Sequence, residues 1–89
     1  MKLVLISNEE KIFEGEIQEV SVITEEGSLM ILPGHEPYMA KISEEVTYKE
    51  KDGTKISEEI DDGFVYTDGE TCFVVVDKQI TSTESQTYF

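Results

Sequence analysis

No stretch of this chain repeats apolar residues every three to four positions long enough to make an amphipathic helix. Instead, short apolar segments recur between glycine-containing turns. Leu3 and Leu5 alternate with Val4 and Ile6. After them come Ile17, Val20, Val22 and Ile23, then residues 29–32, residues 38–42, Val46 with Tyr48, Ile56 with Ile60, residues 64–66 and residues 72–76. These segments have strand length and are rich in β-branched and aromatic side chains, which suit a pleated, half-buried surface. Glu26-Gly27, Pro33-Gly34, Asp52-Gly53 and Asp68-Gly69 punctuate them. The expectation is an all-β chain, an antiparallel β-sandwich or flattened barrel of eight or nine short strands. No internal repeat of about 20–50 residues is present.

The two Asp-Gly pairs predict two-residue type I′ hairpin turns, since that turn needs positive φ at both central residues. One hairpin is expected over residues 45–61 and another over 64–77, with Gly53 and Gly69 as structural turns. In the first, Val46, Tyr48, Ile56 and Ile60 are interleaved with Thr47, Lys49, Ser57 and Glu59, as in a sheet with one wet face. Alternation fails at residues 72–76, Cys-Phe-Val-Val-Val. Five consecutive apolar residues imply that both faces of the last strand are covered, either by a closed barrel or by a partner docked on the outside.

Residues 27–37, Gly-Ser-Leu-Met-Ile-Leu-Pro-Gly-His-Glu-Pro, form a built loop between two strand-like segments. Pro33 and Pro37 fix φ and drive the preceding residues extended, while Gly34 permits a left-handed bend. Such a rigid loop, carrying the only histidine, His35, suits a contact surface.

With 89 residues the chain makes one domain, which buries only about 60–65% of the surface of its unfolded form. Seven basic residues against twenty acidic ones leave a net charge of −13. That argues against nucleic-acid backbones and anionic lipid as direct ligands; a basic protein partner is the electrostatic complement, although such an acidic excess more often serves plain solubility. The single cysteine, Cys72, sits in an apolar run and reads as a small core hydrophobe in a reducing compartment. The N-terminal apolar stretch is too short for a signal peptide or a membrane span.

Motifs for catalysis are missing: there is no nucleophile elbow, phosphate loop, dinucleotide fingerprint or His/Cys cluster at metal-ligand spacing. Asp61, Asp62, Asp68 and Glu70 lack the ordered spacing of a calcium loop and read as solvated turn carboxylates. No nucleophile stands beside His35 in sequence. A catalytic site, a metal and a cofactor are therefore not expected. A small enzyme would need His35 and carboxylates to converge on a cavity, and a free-standing binding barrel would need a hollow interior.

Phe13-Glu14-Gly15, residues 21–27, residues 31–37 and Asp62-Gly63-Phe64-Val65 fall in an order and spacing that resembles the N-terminal domain of the epsilon subunit of bacterial F-type ATP synthase. The likeness spans residues 2 to 77. It implies a sandwich of about ten antiparallel strands over residues 1–78 and a short polar tail over 79–89. It also implies a non-catalytic subunit of the central stalk, linking the gamma subunit to the membrane ring of c subunits, on the cytoplasmic face of the bacterial inner membrane. The isolated chain would be a monomer, without direct membrane insertion.

By the same resemblance the gamma-facing positions are Ser7, His35, Glu36, Pro37 and Tyr38, on a single surface patch, and the ring-facing turn is Glu26, Gly27 and Ser28. Pro33, Gly34 and Gly63 join the structural turns. The chain departs from the family pattern at Ser28, where Glu is usual, at Met30, where Gly is usual, and at Asp62, where a small residue is usual. Glu25 and Glu26 are the substitutes for the ring-facing carboxylate. Family members commonly continue into a helical hairpin that restrains ATP hydrolysis. Residues 78–89 are too few and too polar for one, and read as a last short strand with a loose end, so neither that inhibition nor ATP binding is expected.

Overall fold

The computed structural model describes residues 1–77, all in strands, turns and loops. Six strands follow in chain order: β1 (Lys2–Ser7), β2 (Lys11–Thr24), β3 (Gly27–Ile31), β4 (Tyr38–Glu50), β5 (Lys55–Thr67) and β6 (Thr71–Asp77). Their order in the sheet is β1-β6-β5-β4-β2-β3, and an additional β1–β2 pairing closes it into a flattened barrel. The molecule measures 48 × 29 × 18 Å.

Six strands replace the expected eight to ten because three of them are long and change partners along their length. β2 pairs with β1 through residues 11–16 on one edge and with β3 through residues 20–24 on that same edge. β4 pairs with β5 throughout but with β2 only from Ser43 onward, and β5 meets β6 only from Asp62 onward. Bends occur where the register slips, between Ser43 and Glu44 above all. There Ser43 faces Asp62 and Glu44 faces Ile60, so Asp61 is unmatched. Such bulges sharpen the local bend and let one strand serve both layers of a sandwich. Glu44 takes φ of 73°, the only positive φ at a non-glycine among the described residues. All pairings are antiparallel except β1 with β6, which run parallel. The expectation of a wholly antiparallel sheet is corrected at that seam.

The core forms from the inward residue of each alternating pair. Leu3 and Leu5 of β1, Val20 and Val22 of β2, Ile31, Val46, Val65, Cys72 and Val74 are all fully buried. Ile17, Ile42, Tyr48, Ile60 and Val76 complete it, and Phe13 lies over Tyr48 with ring centroids 4.7 Å apart. Each buried aliphatic side chain is worth roughly 1.5–3 kcal/mol of transfer free energy. β6 departs from expectation: it alternates, with Cys72, Val74 and Val76 inward and Phe73 and Val75 outward and exposed. Among the described residues only one face of this strand is covered.

Both Asp-Gly hairpins form, sharing β5, but not as type I′ turns. At the first, only Gly53 has positive φ (96°). The Gly53 amide donates to the Glu50 carbonyl at 2.9 Å, and the Glu50 amide donates to the Thr54 carbonyl at 2.8 Å. This is a three-residue loop, a type I turn closed by a left-handed glycine. The physical reason is the Asp52 side chain, which accepts from the Thr54 amide at 2.9 Å and so favours negative φ at its own position. At the second, Gly69 alone takes positive φ (97°), and Asp68 accepts from the amides of Glu70 and Thr71 at 2.9 Å each. Those amide bonds, Thr71's first, hold the Asp68 carboxyl below its ordinary range.

Gly63 is not a turn residue. It lies within β5, opposite Val76, where the backbone of β6 passes so close that a Cβ would overlap the Val75 carbonyl oxygen. The residue is required by the closeness of two strands, not by a bend. The expected last strand and loose end over residues 79–89, and Lys78 at the domain's edge, lie outside the described residues.

Candidate functional site

The loop of residues 32–37 bridges β3 and β4 and is fastened at both ends of its bend. The His35 amide donates to the Leu32 carbonyl at 3.0 Å, closing a tight turn over Pro33 and Gly34, where Gly34 has φ of 86°. The Gly34 amide donates to the Gly69 carbonyl at 3.0 Å. This second bond ties the loop to the β5–β6 turn, and the contact is tight: a Cβ on Gly69 would lie 2.9 Å from the His35 carbonyl oxygen.

The β5–β6 turn is itself fastened from inside. Thr67 is fully buried; its hydroxyl donates to the Thr71 carbonyl at 3.2 Å and accepts from the Gly69 amide at 3.0 Å. Sequence reasoning missed Thr67 as a site-building residue. The available signal was a Thr two positions before a turn glycine, which can satisfy that glycine's amide.

His35 is half-buried. Its Nδ1 lies 2.7 Å from the Glu36 carbonyl, and since a carbonyl only accepts, Nδ1 carries the proton. The ring meets Tyr38 edge-on, centroids 5.7 Å apart at 69°. Glu36 and Pro37 are exposed between them. The structure therefore brings His35, Glu36, Pro37 and Tyr38 together on one surface.

Ser7 lies elsewhere. β1 and β6 run parallel, with Lys2 beside Thr71 near Gly69 and Ser7 beside Val76 five residues further on, roughly 16 Å along the strand. Ser7 is 8% exposed, and its hydroxyl donates to the Glu10 carbonyl and accepts from the amides of Glu9 and Glu10, all at 3.1 Å. The expected single patch uniting Ser7 with His35 and Tyr38 is not formed, because Ser7 is consumed in building the β1–β2 turn.

The turn of Glu26, Gly27 and Ser28 stands free in solvent at the tip of the β2–β3 hairpin. Thr24 braces it, its hydroxyl donating to the Gly27 carbonyl and accepting from the Glu26 amide at 3.0 Å each. Gly27 has φ of 118°. Thr24, Glu25 and Glu26 form one wall of an open cleft of about 340 Å³ whose other wall is Tyr38, Met39, Ala40 and Lys41. Tyr38 thus belongs both to the histidine loop and to the cleft beside the acidic turn.

No group of three or more His, Cys, Asp or Glu is placed to hold a metal among the described residues. Asp61 and Asp62 sit at one end of the β5–β6 pairing, Asp68 and Glu70 at the other, so the four do not gather. An open acidic hollow of about 440 Å³ lies at the bulge between Glu44, Glu45, Glu59, Ile60 and Asp61. Burial of the Cys72 thiol pushes its pKa up to about 12, which leaves it unreactive at neutral pH. Among the described residues no helix is long and apolar enough to cross a membrane.

Curated relatives extend the picture. The chain is 31% identical over 85 residues to the ATP synthase epsilon chain of Corynebacterium glutamicum, covering 93% of this chain and 68% of that one. It is 36% identical over 69 residues to the ATP synthase epsilon chain of Herminiimonas arsenicoxydans, covering 78% of this chain and 46% of the other. Among solved structures, the fold matches a chain of the Euglena gracilis mitochondrial ATP synthase with a TM-score of 0.76 at 23% identity, over 83% of this chain and 48% of that one. A chain from the central stalk and c-ring of the Tetrahymena thermophila mitochondrial ATP synthase matches with a TM-score of 0.71 at 15% identity, over 100% of this chain and 77% of its own. Residues 1–82 match the family described as ATP synthase, Delta/Epsilon chain, beta-sandwich domain, and the chain belongs to that family.

Proposed function

We propose that the chain is a non-catalytic rotor subunit of an F-type ATP synthase, placed at the foot of the central stalk on the cytoplasmic side of a bacterial membrane. In that position it joins the gamma subunit to the ring of c subunits. The observation that carries this reading is the fastening of the 32–37 loop onto the β5–β6 turn through Gly34 and Gly69, which presents His35, Glu36, Pro37 and Tyr38 as one pre-formed contact surface. A loop ordered before binding loses little conformational entropy on docking.

Gamma contacts this loop, and the c-ring meets the exposed turn of Glu26, Gly27 and Ser28, where Glu25 and Glu26 supply the carboxylates. Tyr38 lies between the two, so force passing from ring to shaft crosses one cleft. A gamma contact near Ser7 would run through the exposed residues 8–10, since the serine hydroxyl is occupied. Torque transfer asks for stiffness, and the closed sheet supplies it.

The test is titration calorimetry of the chain with the gamma subunit of the same organism. Tyr38→Ala and His35→Glu should each weaken binding by on the order of 1–3 kcal/mol if they lie in the contact core. Full affinity in both variants would remove the loop from the interface. Glu25→Lys with Glu26→Lys should leave gamma affinity unchanged and reduce recovery of c-ring when the tagged chain is purified from membranes.

A further inference from the structure

Three Asp-Gly bonds occur in the chain, Asp52-Gly53, Asp62-Gly63 and Asp68-Gly69, and the fold holds each of them differently. Such a bond is open to attack by its own backbone, because glycine brings no side chain to shield its amide and leaves both backbone angles free. Ring closure requires the aspartyl carboxyl to swing onto the following amide nitrogen. A bond fixed in a ladder or a packed turn resists that swing.

Asp62-Gly63 lies inside β5 between two paired strands. Asp62 faces Ser43 on one side and Asp77 on the other, and Gly63 faces Ile42 and Val76. The β6 backbone abuts Gly63, so the extended chain has no room to bend there. Asp68-Gly69 is in a turn, but it is held at amide, carbonyl and carboxyl. The Gly69 amide donates to the buried Thr67 hydroxyl and the Gly69 carbonyl accepts from the Gly34 amide, at 3.0 Å each. The Asp68 carboxyl accepts from the amides of Glu70 and Thr71 at 2.9 Å each.

Asp52-Gly53 is neither paired nor packed. The β4–β5 pairing ends at Lys49 and Lys55, residues 51–54 are all exposed, and a Cβ on Gly53 would meet nothing within 4 Å. Two bonds restrain it: the Gly53 amide donates to the Glu50 carbonyl, and the Asp52 carboxyl accepts from the Thr54 amide, at 2.9 Å each. Both lie at a solvent-exposed hairpin tip, where local opening is cheapest. The Thr54 contact already curls the carboxyl back towards the residues that follow it.

We propose that Asp52 is a modification site, isomerising to isoaspartate while the fold protects Asp62 and Asp68. The Gly53 amide nitrogen attacks the Asp52 side-chain carboxyl carbon in its protonated form, and the carboxyl hydroxyl leaves with the amide proton as water. A five-membered succinimide results. Water then opens the ring, and opening at the main-chain carbonyl routes the chain through the side-chain carbon and leaves a free carboxylate on the Asp52 Cα. One water leaves and one returns, so the mass is unchanged. The loop gains a main-chain carbon and loses the side-chain acceptor of the Thr54 amide. The new carboxylate is the group that isoaspartyl methyltransferases esterify from S-adenosylmethionine, so the tip becomes a repair substrate.

The test is to age the full chain at neutral pH, folded and in concentrated urea. Isoaspartate is counted with an isoaspartyl methyltransferase and labelled S-adenosylmethionine, and is placed by electron-transfer fragmentation of the peptides. For each bond the folded rate is divided by the unfolded rate. That ratio should be severalfold higher at Asp52 than at Asp62 or Asp68, and Asp52→Glu should remove most of the methyl-accepting signal of the folded chain. Thr67→Val, which deprives the Gly69 amide of its acceptor, should raise the ratio at Asp68 and leave that at Asp52 unchanged. A ratio at Asp62 or Asp68 equal to that at Asp52 in the unsubstituted chain overturns the proposal. So does a folded chain that forms no isoaspartate at Asp52 while the unfolded chain forms it.

Discussion

Gly34 and Gly69 are joined by a 3.0 Å bond from the amide of the first to the carbonyl of the second, and two left-handed bends of the chain meet there. One glycine turns the histidine loop and the other turns the β5–β6 hairpin. Each is shaped to let the other pass.

That closeness separates two glycines of nearly equal conformation. Gly53 and Gly69 have φ of 96° and 97°, but a Cβ on Gly53 meets nothing within 4 Å, whereas one on Gly69 meets the His35 carbonyl at 2.9 Å. Gly53→Ala should cost about 1 kcal/mol from the left-handed backbone alone. Gly69→Ala should cost about 1–3 kcal/mol more, through steric overlap with the loop backbone. Chemical denaturation of both variants checks the order. Equal midpoints would show that the loop yields freely.

Gly63 has no unusual φ, yet an added methyl would press on the Val75 carbonyl and, at 2.9 Å, the Val76 Cα. Both are backbone atoms of a strand paired on each side. Gly63→Ala should destabilise by about 1–3 kcal/mol or prevent folding. A melting temperature within error of the parent would contradict the close approach.

Glu44 offers the reverse experiment. Its φ of 73° at the β4 bulge places a side chain in a region that costs roughly 1–2 kcal/mol. Its neighbour Glu45 also faces Glu59 directly across the strands. Glu44→Gly should stabilise the chain by about 0.5–1 kcal/mol despite the added flexibility of the unfolded state. Lower stability in urea titrations would mean that the glutamate makes a compensating contact.

Glu14 should show in the acid limb of stability. The hydrogen bond from Lys11, then that from Lys2, draws its pKa from 4.5 down to about 2. Its pKa is depressed in the folded state, so the stabilisation it supplies is complete above about pH 4.5 and is lost as pH falls towards 2. The melting temperature of the parent should exceed that of Glu14→Gln at pH 6, and the two should converge near pH 2. A difference that persists at pH 2 would assign the effect to packing.

Most of the architecture could be read from alternation and turns. Leu3, Leu5, Val46, Tyr48 and Val65 face inward where a two-residue period puts them, and the Asp-Gly turns do close hairpins. Strand number could not be read, because a bulge such as that at Glu44 bends a strand without breaking it and leaves no glycine or proline behind. The parallel seam between β1 and β6 was equally hidden, since either direction of pairing satisfies the same alternation. At the site, the loop was legible over residues 32–37 because proline and glycine dictate backbone angles locally, but the reading began it at residue 27, and Gly27–Ile31 form β3 instead. Ser7 and Gly63 were misplaced, because what decides their roles is distance in space: a turn that absorbs a hydroxyl, and a strand passing too close for a side chain.

The seam between β1 and β6 also sets the order in which the molecule can be made. Lys2 pairs with Thr71 and Ser7 with Val76, so β1 leaves the ribosome well before β6 and waits for it before its second edge is filled. Sheets closed by such distant pairings fold slowly, on the millisecond-to-second scale, because the ends must find each other before the contact rewards them. Until then the nascent chain holds an open edge of Leu3, Val4, Leu5 and Ile6, which is the segment most exposed to wrong pairing with another chain. The surplus of carboxylates, spread along the polypeptide, keeps such half-made copies apart during that wait.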